Sequence, residues 1–335
     1  DIATQKGIYF ARDNFTADGN ATFEGTFHYF KGGRELKGRW QTPLAVVGLG
    51  ARDWEFPNLR GDVLWLPDRL EVTNARSGLH GGTADFDYRL LSLDSRSGPR
   101  RAVWDVKYQQ VDLARLTDFL EFEGIRLAGT ATGFNRLEWP LGGWARLRGA
   151  GEVTVQPPGG AAVMGRELRP DLIEAQAALP EEAGPFNPRR PLGYVPIAGH
   201  VEYVLDPEWI TLGSSWIATP KTYVAFDGRT AYYQRSRIQF HVTSLDWQES
   251  DRVFAGILTA LGSPTSAVPV GGHGEFDGVM LGAFNDPRIE GTFTGDRMRA
   301  WDVLWGRGSA DVVIEDSYVQ VARSSLVRGA SEINA

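Results

Sequence analysis

The strongest constraint in this sequence is the alternation of apolar and polar residues over short segments. One segment places Phe23 and Phe27 on one side of an extended chain and Glu24 and His28 on the other, and similar alternation recurs near residues 201, 238 and 312. A period of two is typical of a β-strand with one apolar and one wetter face. Turn signals separate these segments at Lys31-Gly32-Gly33, Leu66-Pro67-Asp68, Gly81-Gly82, Asp206-Pro207 and Asp227-Gly228. The sequence therefore predicts a meander of antiparallel strands.

The amino-acid composition argues against several functional classes. The 40 glycines among 335 residues amount to about 12 %, above the ~7 % of an average protein. The formal net charge of −7 argues against a nucleic-acid partner, because a nucleic-acid groove needs a basic excess. The absence of cysteine excludes disulfides, thiol nucleophiles and thiolate metal sites. No apolar run in this sequence approaches the 18 residues of a transmembrane helix.

Helical patterns are few. Apolar residues recur at helical spacing over residues 111–122 and 246–261, and a shorter candidate over 170–179 begins with a proline. We expect two or three short helices that cap the ends of a sheet. The stretch 156–192 is rich in Pro and Gly, and it contains the third candidate. We therefore predict a first strand-rich segment over 1–155, an insertion with a short helix over 156–192, and a second strand-rich segment over 193–335, continuous with the first.

Two internal similarities indicate repetition. Phe23-Glu24-Gly25 matches Phe276-Asp277-Gly278, and Leu36-Lys37-Gly38-Arg39-Trp40 matches Ile289-Glu290-Gly291-Thr292-Phe293 at the same spacing. Residues 59–63 likewise parallel 197–201, and helical patterns open after Asp112 and Asp246 at a similar offset. The sequence starts and stops partway through this pattern, which predicts an interior segment of a longer protein.

The repeated phrases resemble those of the AsmA-like superfamily, and within it the TamB-type envelope proteins. The resemblance lies in strand–turn–strand phrases with a hydrophobic-x-Gly centre, such as residues 59–63 and 276–282. It lies also in residues 287–293, P-R-I-E-G-T-F, and in the threonine-containing strand before Gly228. It covers most of the chain except the insertion.

The resemblance implies a long sheet curled into a hydrophobic groove in the bacterial periplasm. Such proteins are linked to phospholipid transport to the outer membrane and, for some members, to the assembly of outer-membrane proteins. They are anchored in the inner membrane, here through parts of the protein outside this sequence. The expected partners are phospholipids or other acyl-chain lipids, and the alternative partners are outer-membrane assembly proteins.

These considerations predict an all-β fold: an elongated, curled, mostly antiparallel sheet with two or three short helices. The expected function is a non-catalytic conduit for acyl chains, and the first alternative is a factor for the translocation or assembly of outer-membrane proteins. Residues expected to line its apolar face are Phe23, Phe27, Val63, Trp65, Val106, Tyr108, Val201, Tyr203, Ile238, Phe240, Val312 and Ile314. The opposite parity stays open around Val63 and Trp65, because Leu64 and Leu66 are also apolar.

Other chemistry has weaker support in the sequence. The five histidines show no metal-ligand spacing, and the glycine pairs fit no phosphate-binding loop. Carboxylates two apart, such as Asp85 with Asp87 and Glu121 with Glu123, could serve a glycosidase, but such pairs are common in β proteins. We therefore expect no enzyme, no cofactor and no metal. The 11 tryptophans leave a carbohydrate-binding β protein as a second alternative.

Overall fold

A computed structural model describes residues 10–12, 15–49, 52–94, 98–121, 125–178, 194–232, 234–260, 270–284, 286–300, 303–315 and 318–335. Most of these residues lie in β-strands, and three short α-helices are present among them. Apart from one short parallel pair, the strand pairs described below are antiparallel. The prediction of a mostly antiparallel all-β fold with two or three short helices is confirmed.

The strands in chain order are β1 (Phe10–Arg12), β2 (Phe15–Gly19), β3 (Thr22–Phe30), β4 (Gly33–Leu49), β5 (Arg52–Trp65), β6 (Leu70–Leu79), β7 (Gly82–Leu91), β8 (Arg101–Asp112), β9 (Arg126–Ala128), β10 (Thr130–Pro140), β11 (Arg148–Gln156), β12 (Tyr194–Pro196), β13 (Ala198–Leu205), β14 (Ile210–Ala218), β15 (Thr222–Thr230), β16 (Ser236–Ser244), β17 (Val270–Ala283), β18 (Asp286–Ala300), β19 (Val303–Glu315), β20 (Tyr318–Arg328) and β21 (Ser331–Asn334). The helices are α1 (Leu113–Phe119), α2 (Pro170–Ala178) and α3 (Trp247–Ala260), and a 3₁₀ turn spans Trp144–Arg146.

The chain divides into two compact units. Unit 1 contains residues 1–112, 130–153 and 204–207, and unit 2 contains 113–129, 154–203 and 208–335. The part of the predicted insertion from residue 179 to 192 lies outside the described residues.

Unit 1 is built from neighbouring antiparallel strands. The long strand β4 pairs on one edge with β3 and β2 and on the other with β5. The ladder continues through β6, β7 and β8 to β10, and β1 pairs with β2. The predicted meander is therefore present in this unit.

Unit 2 contains a longer uninterrupted meander, in which β14 to β21 pair in chain order. A short parallel pair of β9 and β12 lies apart from this ladder. Helix α3 packs there: Val253 and Ile257 contact Ile125, Leu127 and Val195, which form a small apolar cluster. This cluster is where the predicted apolar stripe of the helix is buried.

The helices nearly match their predicted ranges. Strand β8 continues to Asp112, so α1 begins two residues later than the pattern suggested. Asp246 caps α3, because its Oδ1 accepts a hydrogen bond from the backbone N–H of Gln248 at 3.1 Å. The ends of the three predicted ranges at Phe122, Leu179 and Leu261 lie outside the described residues. Within the described chain, every helix is too short or too polar to traverse a bilayer.

The repeat inferred from sequence has a structural counterpart. In unit 1 Phe23 lies opposite Trp40 and Gly25 opposite Gly38. In unit 2 the equivalent pairs are Phe276 with Phe293 and Gly278 with Gly291. The hairpins β3–β4 and β17–β18 therefore share one register.

The correspondence extends to irregularities that the alternation does not reveal. Asn74 in β6 and Arg323 in β20 both have left-handed backbone conformations, with φ of 53° and 47°. Each lies at a register shift, and each side chain hydrogen bonds an aspartate of the preceding strand: Asn74 Nδ2 to Asp62 at 2.9 Å, and Arg323 to Asp311. These residues are β-bulges, which increase the local twist of a sheet.

Candidate apolar binding surfaces

Unit 2 carries an apolar surface on one face of its meander. Directly paired residues of neighbouring strands point to the same side of a sheet, so the register identifies the members of each face. One row runs Ile238, Met280, Ile289, Ile314, Val319 across β16 to β20. The unit 2 apolar face consists of Val224, Phe226, Ile238, Phe240, Val242, Phe276, Met280, Ile289, Phe293, Val312, Ile314, Val319 and Val321.

The opposite face of the same strands is mainly polar, although it also includes Tyr223, Ala225, Val279, Leu281 and Val313. His241 lies beside Asp277, with Nδ1 and Oδ1 2.7 Å apart. The meander is therefore strongly two-sided.

Much of the unit 2 apolar face is open. Val242, Val224 and Ile238 are buried, whereas the Phe240 and Phe276 side chains are only half-buried. The largest fully buried side chain in the described part of the chain is a valine, Val242. A compact sandwich core would enclose its large aromatic and aliphatic residues. The apolar face here resembles a surface rather than a core.

Helix α3 covers one part of this face. The Trp247 ring lies 5.3 Å from the Phe293 ring. Phe240 and Phe276 stack with centroids 5.6 Å apart and an interplanar angle of 18°. Outside the part that α3 covers near Phe293, the unit 2 apolar face continues as a shallow surface that includes the stacked Phe240 and Phe276 rings.

Unit 1 has a corresponding surface. One row runs Phe27, Leu36, Trp65, Leu70, Leu90 across β3 to β7. The unit 1 apolar face consists of Phe23, Phe27, Leu36, Trp40, Val63, Trp65, Leu70, Val72, Phe86, Tyr88, Leu90, Trp104, Val106, Tyr108, Leu137 and Trp139. It contains all six unit 1 residues that the sequence singled out.

The register resolves the parity around Val63 and Trp65. Trp65 lies opposite Leu36 and Leu70, whereas Leu64 lies opposite Lys37 and Glu71 on the polar face. Phe27 is 62 % exposed and Trp65 39 %, but Val106 is buried. The predicted lining residues of unit 1 thus share one face but differ in accessibility.

In unit 2 the structure brings Ile238, Phe240, Val312 and Ile314 onto one face, as listed above. Val201 and Tyr203 lie on β13 and alternate with His200 and Glu202, whose side chains are 3.1 Å apart. The sequence reasoning missed Phe276 and its neighbours on β17 and β18, although their alternation gave the same signal as the chosen residues.

Paired glycines flatten both apolar faces. An added Cβ on Gly291 would lie 2.8 Å from the Phe276 ring and from Gly278 Cα. One on Gly38 would lie 2.7 Å from the Phe23 ring and 2.6 Å from Gly25 Cα. A phenylalanine ring therefore lies over each glycine pair, where a side chain would otherwise project.

Polar chemistry near unit 2 is concentrated where α3 joins the sheet. The buried Ser250 hydroxyl lies 2.6 Å from those of Thr222 and Ser244. Burial raises the pKa of Glu249, although Lys221 and a hydrogen bond from Thr219 oppose this shift. These contacts fasten the helix to the ladder.

Burial also shifts the pKa of three other side chains. Burial raises the pKa of Tyr88 and of Tyr203, and burial lowers the pKa of His273 in a shallow hollow beside Asp296 and Arg307. The described part of the chain contains no group of three or more His, Asp or Glu side chains suited to a metal ion.

The tryptophans do not form a stack of exposed parallel rings in the described residues. Trp65 and Trp144 are the exposed ones there. Trp144 meets Trp139 edge-on, with centroids 4.8 Å apart and an interplanar angle of 71°. Trp301 lies outside the described residues.

Comparison with protein-family models, curated proteins and solved structures finds no match to this chain. The two apolar faces and their accessibility are therefore the features that point to a function.

Proposed function

We propose that this chain is a non-catalytic segment of a lipid conduit, in which phospholipid acyl chains lie against the apolar faces of its sheets. The supporting observation is the in-register apolar rows, which cross successive strands while Phe240, Phe276 and Trp65 keep part of their surface accessible. In a larger envelope protein this segment would act in the periplasm, between the inner and outer membranes. No cofactor is needed for this role.

The energetics favour such a surface. Exposing acyl chains to water costs about 0.8 kcal/mol per CH₂, or on the order of 25 kcal/mol for two tails of roughly 16 carbons. An apolar face removes much of this cost without binding any one lipid tightly. The glycine pairs support movement along the face, because the overlying Phe276 and Phe23 rings leave no deep side-chain socket there.

Site-specific photocrosslinking tests the proposal. A photoreactive residue at Phe240 or at Trp65 would face the apolar surface, whereas one at Gln239 or Leu64 would face the polar side one residue away. We expect phospholipid adducts from the first two positions in cells and few from the two controls. Equal lipid capture at Gln239 and Phe240, or no lipid at either apolar position, would refute the proposal.

A second candidate function, assistance in outer-membrane protein assembly, draws support from exposed strands. Within unit 1, β3 pairs with β4 alone among the described strands, and Tyr29 on it is 85 % exposed. On β20, β21 pairs with Ser325–Arg328, whereas Tyr318 and Val321 precede that stretch and are more than half exposed. Unpaired edges can accept an added strand. Crosslinking at Tyr29 and Val321 that yields protein adducts, with no lipid at Phe240, would favour this function.

A further inference from the structure

An arginine cluster lies on the polar face of unit 2, on the hairpin of β15 and β16. Arg229 and Arg237 are directly opposite each other in the ladder. The guanidinium carbons of Arg229 and Arg235 lie 4.6 Å and 5.5 Å from the centre of the Trp209 ring. All three arginines are exposed, so one indole and one hairpin present three cations to solvent.

Placing like charges directly opposite each other is unfavourable unless a counter-charge is near. On the polar face of unit 1, such a pair of like charges is neutralised by side chains of opposite charge. Asp87 and Asp105 are also opposite each other, and Arg89 bridges both while Arg136 binds Asp105 at 2.6 Å.

The arginine cluster has no such neutralising ion pair among the described residues. Among the described residues, no carboxylate forms an ion pair with Arg229, Arg235 or Arg237. Asp227 lies two positions before Arg229 on the same strand face, and Glu208 adjoins Trp209 in the chain, so the three arginines outnumber these neighbouring carboxylates. In a chain of net charge −7, this excess is a local exception.

The position of the cluster relates it to the apolar face. The row that contains Arg229 and Arg237 continues through Leu281 to Arg288 on β18. Arg288 differs from the cluster, because Glu290 and Glu315 neutralise it. On the other side of the sheet, one residue along β16 from Arg237, Ile238 begins the outermost apolar row described above. Cations therefore flank one end of the surface proposed to carry acyl chains.

We propose that this hairpin docks on an anionic lipid bilayer, with Arg229, Arg235 and Arg237 binding headgroup phosphates. Guanidinium groups match phosphate oxygens in charge and geometry. Trp209 and Tyr232 add the aromatic side chains that prefer the membrane–water interface. The choice of a bilayer as the source of the phosphate rests on the proposed lipid function, whereas the need for an anion follows from the cluster itself.

Vesicle sedimentation tests the docking. The intact chain is mixed with vesicles of phosphatidylcholine alone or with about one third phosphatidylglycerol, at low and at physiological salt. The test variant carries Arg229→Gln, Arg235→Gln and Arg237→Gln. The control variant carries Arg39→Gln, Arg76→Gln and Arg136→Gln, which removes three exposed arginines that each pair with an aspartate. Both variants have the same net charge.

We expect the intact chain to prefer anionic vesicles, with a preference that weakens as salt rises. The test variant should lose binding on the order of 100-fold, about fivefold for each arginine, and the control variant should bind nearly as the intact chain does. Replacing the three arginines by lysine keeps the charge and should keep most of the binding, even if loss of stacking on Trp209 weakens the hairpin.

Three results would overturn the docking: no preference for anionic vesicles, equal losses in the test and control variants, or displacement from vesicles by millimolar inorganic phosphate. The last would assign the cluster to free phosphate. A separate measurement of a fluorescent fatty acid bound by the test variant distinguishes the two proposals. If the test variant still binds the fatty acid but no longer docks on vesicles, the arginine cluster and the apolar face act separately. If the intact chain does not bind the fatty acid, the result counts against the lipid function alone.

Discussion

Replacing Gly291 by alanine tests the close approach of strands that shapes the unit 2 apolar face. The new methyl group would fall on the carbonyl oxygen of Asp277 and within 2.8 Å of both Gly278 Cα and the Phe276 ring. Neither strand can easily move away, because β17 is paired with β16 and β18 with β19 on their outer edges.

Overpacking of this kind costs about 1–3 kcal/mol. Alanine also lowers the conformational entropy of the unfolded chain, which stabilises the folded state by roughly 0.4–1 kcal/mol and offsets part of this cost. We therefore expect Gly291→Ala to lower the free energy of unfolding by about 1–2 kcal/mol. Gly38→Ala, at the equivalent position of unit 1, should cause a similar loss, since its methyl group would meet the Gly25 backbone and the Phe23 ring.

Urea unfolding followed by circular dichroism measures these changes, with the midpoint and slope fitted for each variant. Gly159→Ala is the matched control, because a Cβ there has nothing within 4 Å. Its stability should stay within about 1 kcal/mol of the parent. Equal stability of Gly291→Ala and Gly159→Ala, or widely different losses in Gly291→Ala and Gly38→Ala, would contradict this account of the close strand approach.

Three further predictions concern the helix attachment and the two faces. Burial raises the pKa of Glu249 above its ordinary value of 4.5. At pH values between 4.5 and this raised pKa, the folded state therefore binds more protons than the unfolded state. Stability should therefore rise as the pH falls through this window, and Glu249→Gln should remove that part of the pH dependence of the melting temperature; an unchanged profile would contradict the assignment. Ser250→Ala leaves two buried hydroxyls without their partner and should cost roughly 1–3 kcal/mol in urea unfolding, whereas the exposed Ser214→Ala should cost little, and equal effects would rule out the buried network. Trp65→Gln should weaken fatty-acid binding severalfold while Leu64→Gln, on the polar face, should not, and the reverse order would mean that the faces are misassigned.

Much of the fold follows from local pattern, because a half-buried strand has to alternate. Phe23, Val63 and Ile238 could be assigned to strands from the sequence alone, and each lies in a strand with the expected alternation. The helix that begins after Asp246 could be recognised from its apolar spacing and its capping residue.

Other features depend on partners that are distant in sequence. The side of the sheet that Trp65 faces depends on its pairing with Leu36 and Leu70, and both Trp65 and Leu64 suit an apolar position. The bulges at Asn74 and Arg323 leave no alternation signal, because either residue can occupy a regular strand. The arginine cluster was equally hidden, since Arg229 and Arg237 become neighbours only once the hairpin register is known.

Within the runs β4–β8 and β14–β21, pairing joins strands that follow each other in the chain. Such an arrangement can be lengthened by gene duplication without redesigning a central core, because a new hairpin needs to match only its two flanking strands. Each duplicated hairpin would add about 10 Å to the width of a run. The width of a run can therefore change by whole hairpins during evolution. A mutation that destabilises one hairpin then leaves the other hairpins of the run largely unaffected.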